Sequence, residues 1–164
     1  MQKVLKVGLG ISFIIYLFIL VVILFLGQRA YTDLSLLEYI KRSSNIIPFN
    51  TISKYITAIF DGSMNINIPI QNLFGNVILF FPMGVYLPFF IKKVNKVSAF
   101  FILMVVLIFW VEFIQLVTRR GSFDINDFIL NVLGALIGLA IWKSKTIEKY
   151  LNRTNHDSLT KSVH

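Results

Sequence analysis

The chain has 164 residues, 56% of them hydrophobic and 15% charged, against the roughly half apolar and quarter charged mix of soluble domains; lipid is the expected solvent, and one compact domain takes up the length. Sixteen Lys and Arg against eight Asp and Glu give a formal charge of +8, but the basic residues sit beside apolar runs, which fits topology signals and contact with anionic membrane lipids and leaves no nucleic-acid partner. Cysteine is absent, which excludes disulfides, a thiol nucleophile and a thiolate metal site.

Gly8 to Leu26 carries no charge and, at about 1.5 Å per residue, is long enough to cross a hydrocarbon core of about 30 Å. Lys3 and Lys6 imitate the flank of a secretory signal, but the apolar run is too long and Gly27-Gln28-Arg29-Ala30 offers no small-x-small cleavage site, so this first span is read as retained. In the long loop Gly27 to Gln71, the apolar residues Ile52, Tyr55, Ile56, Ile59 and Phe60 recur at helical spacing. They predict an amphipathic helix over Thr51 to Phe60, lying on the membrane surface or packed against the bundle. Ile66, Ile68 and Ile70 then alternate with polar residues, which reads as a short extended stretch, with Pro69 against a long strand.

The second span, Leu73 to Ile91, is interrupted by Gly75, Pro82, Gly84 and Pro88 and is expected to be kinked. Val97 to Val117 is the third and carries Glu112 and Gln115. The fourth, Phe128 to Trp142, makes about 22 Å of helix; a span this short draws Asp124 and Asp127 to or below headgroup level. From Lys143 the sequence turns polar, and its last dozen residues are expected to be disordered. No internal repeat is found. The fold class is an all-α membrane protein, a four-helix transmembrane bundle with a long extracellular loop carrying an interfacial amphipathic helix.

Placing both termini in the cytoplasm gives that side ten basic residues, crowded into short segments, against six outside: Arg29, Lys41, Arg42, Lys54, Arg119 and Arg120. A cell membrane protein with both ends inside is the expected arrangement.

An ionisable residue inside a span costs at least about 2.5 kcal/mol at its centre and is a functional hypothesis by default. Measured from the outer ends of their spans, Glu112, Asn76 and Asn131 all lie roughly 6 to 8 Å deep, so three spans place polar groups in one layer. Glu112, Gln115 and Arg119 share a stripe at i, i+3, i+7; Asn72 and Asn76 are i, i+4; Asp124, Asp127 and Asn131 repeat the first pattern if the helix begins at Asp124. Gly134 and Gly138 continue that last stripe as a small-xxx-small pair, which lets another helix approach closely. Singly, such amides serve helix adhesion; three carboxylates beside two Arg exceed what adhesion needs.

The runs NVILFFPMG from Asn76 to Gly84, VEFIQ from Val111 to Gln115 and RRGSFDINDFILNVLGALIG from Arg119 to Gly138, with NIIPFNTI from Asn45 to Ile52 upstream, resemble the VanZ-like family. The resemblance covers roughly Asn45 to Trp142, plus the first span by topology. It implies a VanZ-like four-span domain over residues 1–145 followed by a polar cytoplasmic tail, 146–164. Its motif residues here are Asn76, Pro82, Gly84, Glu112, Gln115, Asp124, Asp127, Asn131, Gly134 and Gly138, with Arg119 or Arg120 as the motif Arg: Arg119 fits the helix stripe, Arg120 the spacing to Asp124. The resemblance implies lowered susceptibility to teicoplanin-type lipoglycopeptides and supplies no mechanism.

Two functional readings stay open. In the first the protein acts on or binds a lipid-linked cell-envelope intermediate, such as a polyprenyl-linked cell-wall precursor. Arg119 or Arg120 then pairs its phosphate, Asp124 or Asp127 coordinates a divalent cation such as Mg2+, and Glu112 with the two aspartates supplies acid or base chemistry. Asn76, Gln115 and Asn131 complete the binding surface. In the second a non-catalytic envelope protein binds the lipoglycopeptide, a cell-wall precursor or a partner protein. A transporter is the weaker third, because four spans must dimerise to form a path.

Overall fold

The fold comes from a computed structural model, which describes residues 2–26 and 34–144. Among the described residues four helices are long and apolar enough to cross a membrane, Lys6–Leu26, Asn67–Phe90, Val97–Val117 and Ile125–Trp142; the protein is an all-α, multi-pass membrane protein. The tail 146–164, and the Gly27-to-Ala30 segment weighed as a cleavage site, lie outside the described residues.

Helix α1, Gln2–Val21, runs into a π-turn over Val22–Leu26. Its flank keeps Ile14 and Phe18 exposed, as a lipid-facing helix should. Phe13 stacks between Tyr86 and Phe90 at 4.9 and 5.6 Å, the Tyr86 hydroxyl donates to Ser12 Oγ at 3.0 Å, and Tyr16 donates to the Leu79 carbonyl at 2.7 Å. These contacts fasten α1 to the second span.

Three short elements follow. Helix α2, Leu36–Arg42, is capped by Ser35, whose side chain accepts from the Glu38 N–H; strand β1 is Ser44–Asn45; helix α3, Asn50–Asp61, stops at Gly62 with φ +68°. The amphipathic helix is therefore present and slightly longer than Thr51 to Phe60. It rests on the second and fourth spans, burying Ala58 and half-burying Ile52, Tyr55 and Ile59, while Ile56 and Phe60 stay exposed.

The second span consists of α4, Asn67–Phe80, and α5, Met83–Phe90. The break falls at Phe81 and Pro82, where the proline has no N–H to continue the ladder. Two expectations are corrected here: the span begins six residues before Leu73, and the Ile66 to Ile70 stretch is helical, not extended. Pro69 sits in the first turn of α4, where backbone N–H groups have no intrahelical partner and proline costs nothing.

Helix α6, Val97–Val117, coincides with the expected third span and buries Phe100, Met104, Ile108 and Glu112 at every fourth position. Strand β2, Phe123–Asp124, pairs in parallel with β1, Ser44 against Phe123 and Asn45 against Asp124. Helix α7, Ile125–Trp142, is longer than the expected Phe128 to Trp142 and is the centre of the molecule, packing on α4, α5 and α6. The small-residue stripe is the reason it packs so closely. A Cβ on Gly134 would collide with the Val77 carbonyl, one on Gly138 with the Phe81 carbonyl, and one on Gly84 with the backbone of Ala135 and Leu139.

Candidate functional site

The end of the bundle bearing α2, α3 and the β1–β2 pair is where the polar residues gather. Helix α6 ends there in two linked hydrogen bonds, Arg119 N–H to the Leu116 carbonyl at 3.2 Å and Arg120 N–H to the Gln115 carbonyl at 2.9 Å, with Arg119 at φ +57°. This is the Schellman pattern, usually completed by glycine at the left-handed position. It turns the chain away from the helix, so Arg119 does not continue the Glu112 and Gln115 stripe. Arg119 is half-buried and Arg120 exposed.

The reversed chain is clamped on both sides. Tyr39, buried on α2, donates to the Gly121 carbonyl at 2.7 Å, and a Cβ on Gly121 would meet the Gln115 side chain at 3.1 Å. Phe123 N–H then reaches the Ser43 carbonyl at 2.8 Å, which delivers Asp124 to the start of α7.

Asp124 is extended, with φ −118° and ψ 117°, and caps α7 by accepting from the Asn126 N–H at 2.8 Å. The stripe of Asp124, Asp127 and Asn131 is therefore helical only from Ile125 onward. Oδ1 of Asp124 also accepts from Asn126 Nδ2 at 2.7 Å and Asn45 Nδ2 at 3.3 Å. Oδ2 accepts from Thr51 Oγ1 at 2.9 Å and Asn45 Nδ2 at 3.2 Å. Asn45 in turn donates to Thr51 at 2.7 Å, and Asn126 to the Ile47 carbonyl at 3.1 Å. One carboxylate thus ties β1, α3 and α7 together, and a cation there would have to displace these neutral donors. Among the described residues no group of three or more His, Cys, Asp or Glu is arranged to hold a metal ion.

Asp127, in the first turn of α7, is set differently. Its Oδ1 accepts from Asn76 Nδ2 of α4 at 2.7 Å. Glu112, only 4% exposed, comes from α6 and lies within electrostatic reach of Asp127 and Asp124. Tyr55 of α3 borders the same two aspartates; partial burial and then the nearby carboxylates raise its phenol above the ordinary value of 10.0.

The structure therefore brings Asn76, Glu112, Asp124 and Asp127 together. Gln115 turns aside, donating to the Leu24 carbonyl in the π-turn of α1 at 2.8 Å, and Asn72 bonds within its own helix to the Ile68 carbonyl at 2.8 Å. Asn131 is 2% exposed and its Oδ1 has no hydrogen-bond partner among the described residues. Sequence reasoning missed Tyr39, Asn45, Thr51, Tyr55 and Asn126. The one local signal was Asp124 directly ahead of an apolar helical run, a capping pattern.

Comparisons with known proteins bear on the same residues. The family model described as VanZ/LLP1 matches residues 13–147. "Protein VanZ" of Enterococcus faecium is 29% identical over 158 residues, which are 96% of this chain and 84% of that protein. No solved structure matches the chain. Since the family match runs from within α1 past the end of α7 and takes in every carboxylate and amide of the polar layer, the chain belongs to the VanZ/LLP1 family.

Proposed function

We propose that this membrane protein lowers susceptibility to teicoplanin-type lipoglycopeptides by holding the polar head of a lipid-linked cell-envelope intermediate at the layer formed by Glu112, Asp127 and Asn76. Membership of the family supports the first half. The second half draws support from one arrangement: buried Glu112 of α6 lies within electrostatic reach of half-buried Asp127 in the first turn of α7. A buried carboxylate within a span, as Glu112 is, is costly and calls for a function. Helix adhesion does not require it, because α4, α5 and α7 already meet backbone to backbone at Gly84, Gly134 and Gly138.

In this reading Asn76 orients Asp127 and Glu112 serves as the proton acceptor or donor beside it. Asp124 positions both by fixing the loop on which they depend, Arg119 or Arg120 pairs a phosphate, and Mg2+ enters only as the companion of a phosphate at Asp127. Both termini lie in the cytoplasm, and the polar layer opens outward. A second reading, non-catalytic capture of the drug, a precursor or a partner protein, draws support from the saturated Asp124 network. That network makes the loop end a fixed surface suited to contact.

The test uses Glu112→Gln and Asp127→Asn, which keep shape and, for Asp127, the oxygen that Asn76 binds. Both variants should reach wild-type membrane levels and Tm, yet lose drug tolerance in a susceptible Gram-positive host. Loss of the protein itself would make the carboxylates structural. Full tolerance in both variants would remove the chemical role of the layer and leave the contact reading.

A further inference from the structure

We infer that the segment between β1 and α3, Ile46-Ile47-Pro48-Phe49, is a membrane anchor that inserts into the leaflet at this end of the bundle and seats the Asp124 network against lipid. All four residues are exposed, with Ile46, Ile47 and Phe49 at 73, 60 and 62%. This surface is distinct from the amphipathic helix, whose Ile52, Tyr55 and Ile59 are half-buried against the bundle. The segment is also held in place at both ends. Asn45 before it and Thr51 after it donate to Asp124 at 3.2 and 2.9 Å. Phe49 takes a left-handed φ of +62°, a conformation that costs any residue with a Cβ. A turn facing water would be served there by glycine; an aromatic ring held outward in that conformation suits lipid.

Two measures of depth put the segment at the level of lipid. Helix α7 has 18 residues, about 27 Å against a hydrocarbon core of about 30 Å, so its first turn lies at the hydrocarbon boundary. The Ile47 carbonyl is tied to that turn, accepting from Asn126 Nδ2 at 3.1 Å. Independently, Phe123 of β2, next to Ser44 in the strand pair, meets Phe109 of α6 edge to face at 6.4 Å. Phe109 lies eight residues inside the end of α6 at Val117, or about 12 Å. Phe109, Phe113 and Ile114 are exposed on that span, so the strand pair and the segment leaving it continue the lipid-facing surface of the bundle.

A segment that leaves water must also have its backbone polar groups answered within the protein. Pro48 has no N–H to satisfy. The Ile47 N–H donates to Asn45 Oδ1 at 3.3 Å, the Ile47 carbonyl is taken by Asn126, and the Phe49 carbonyl by the Ser53 N–H at 2.8 Å. Buried Asn126 thereby serves the segment as well as the Asp124 cap. Exposed Lys41, ahead of β1, and Lys54, one turn into α3, complement the phosphates of a headgroup layer. A second copy of this chain, with its own formal charge of +8, offers no such complement.

The experiment places spin labels on the full-length protein, which has no cysteine of its own, in vesicles of phosphatidylglycerol and phosphatidylethanolamine. Labels at Ile47→Cys and Phe49→Cys should collide more often with oxygen, which concentrates in lipid, than with a water-soluble nickel chelate, as a label at Phe113→Cys on α6 does. Labels at Lys54→Cys and Asp61→Cys should show the opposite order. Each variant is used at wild-type Tm, and Ile46→Cys replaces either segment variant that unfolds early. Nickel access at Ile47 and Phe49 equal to that at Asp61, in vesicles holding this protein alone, overturns the inference. So does spin–spin broadening confined to the segment, which would put a second copy of the chain there in place of lipid.

Discussion

Removing the Asp124 carboxylate would strip the Asn45 amide, the Thr51 hydroxyl and both N–H groups of Asn126 of a shared acceptor. Loss of the cap and of several hydrogen bonds to a charged acceptor is worth about 2 to 4 kcal/mol, so Asp124→Ala should lower Tm by about 5 °C or more and reduce membrane accumulation. Asp127→Asn, three residues on, should do neither. Equal stability of the two variants would mean that the Asp124 network carries no load. The spacing of polar residues along three helices singled out Glu112, Asn76 and Asp127, but the common depth did not hold, since α4 begins at Asn67 and Asn76 lies nine residues beyond it. The Asp124 network was not legible, because Asn45 and Thr51 lie 79 and 73 positions from Asp124, and no local pattern encodes a contact made by strand pairing at that separation. Arg119 was misjudged for a related reason. A left-handed turn at a residue other than glycine gives no compositional warning.

Among the elements, α7 is held by contacts that tolerate no side chain. Gly134→Ala drives a Cβ into the Val77 carbonyl, and such overpacking costs about 1 to 3 kcal/mol. Gly75 has nothing within 4 Å of its own would-be Cβ, so Gly75→Ala should gain about 0.5 to 1 kcal/mol of helix stability. Thermal unfolding of the two variants in one detergent checks both signs; a destabilised Gly75→Ala beside an unchanged Gly134→Ala would refute the packing described. The spans and a kink in the second were legible because hydropathy and proline act locally; which of Gly75, Pro82, Gly84 and Pro88 breaks the helix was not, and Pro88 sits inside α5. The start of α4 was not legible either: three isoleucines at alternate positions imitate a strand, and a proline in the first helical turn looks like a strand breaker until its place is known. The α3 periodicity foretold a helix but not its contacts, since an apolar face reads the same against lipid or protein.

For the molecule as a whole, the proposed orientation puts α2, α3 and the carboxylate layer outside the cell. An alkaline phosphatase reporter fused between Ser43 and Lys54 should be active and one fused after Lys145 inactive; the reverse would turn the layer toward the cytoplasm and away from a surface drug. The most direct measurement of the central claim is mass spectrometry of the lipids that co-purify with the protein from a Gram-positive host. The account predicts that wild type retains a lipid-linked envelope intermediate that Glu112→Gln, purified at the same yield and Tm, has lost. Identical lipid profiles for the two proteins would contradict it.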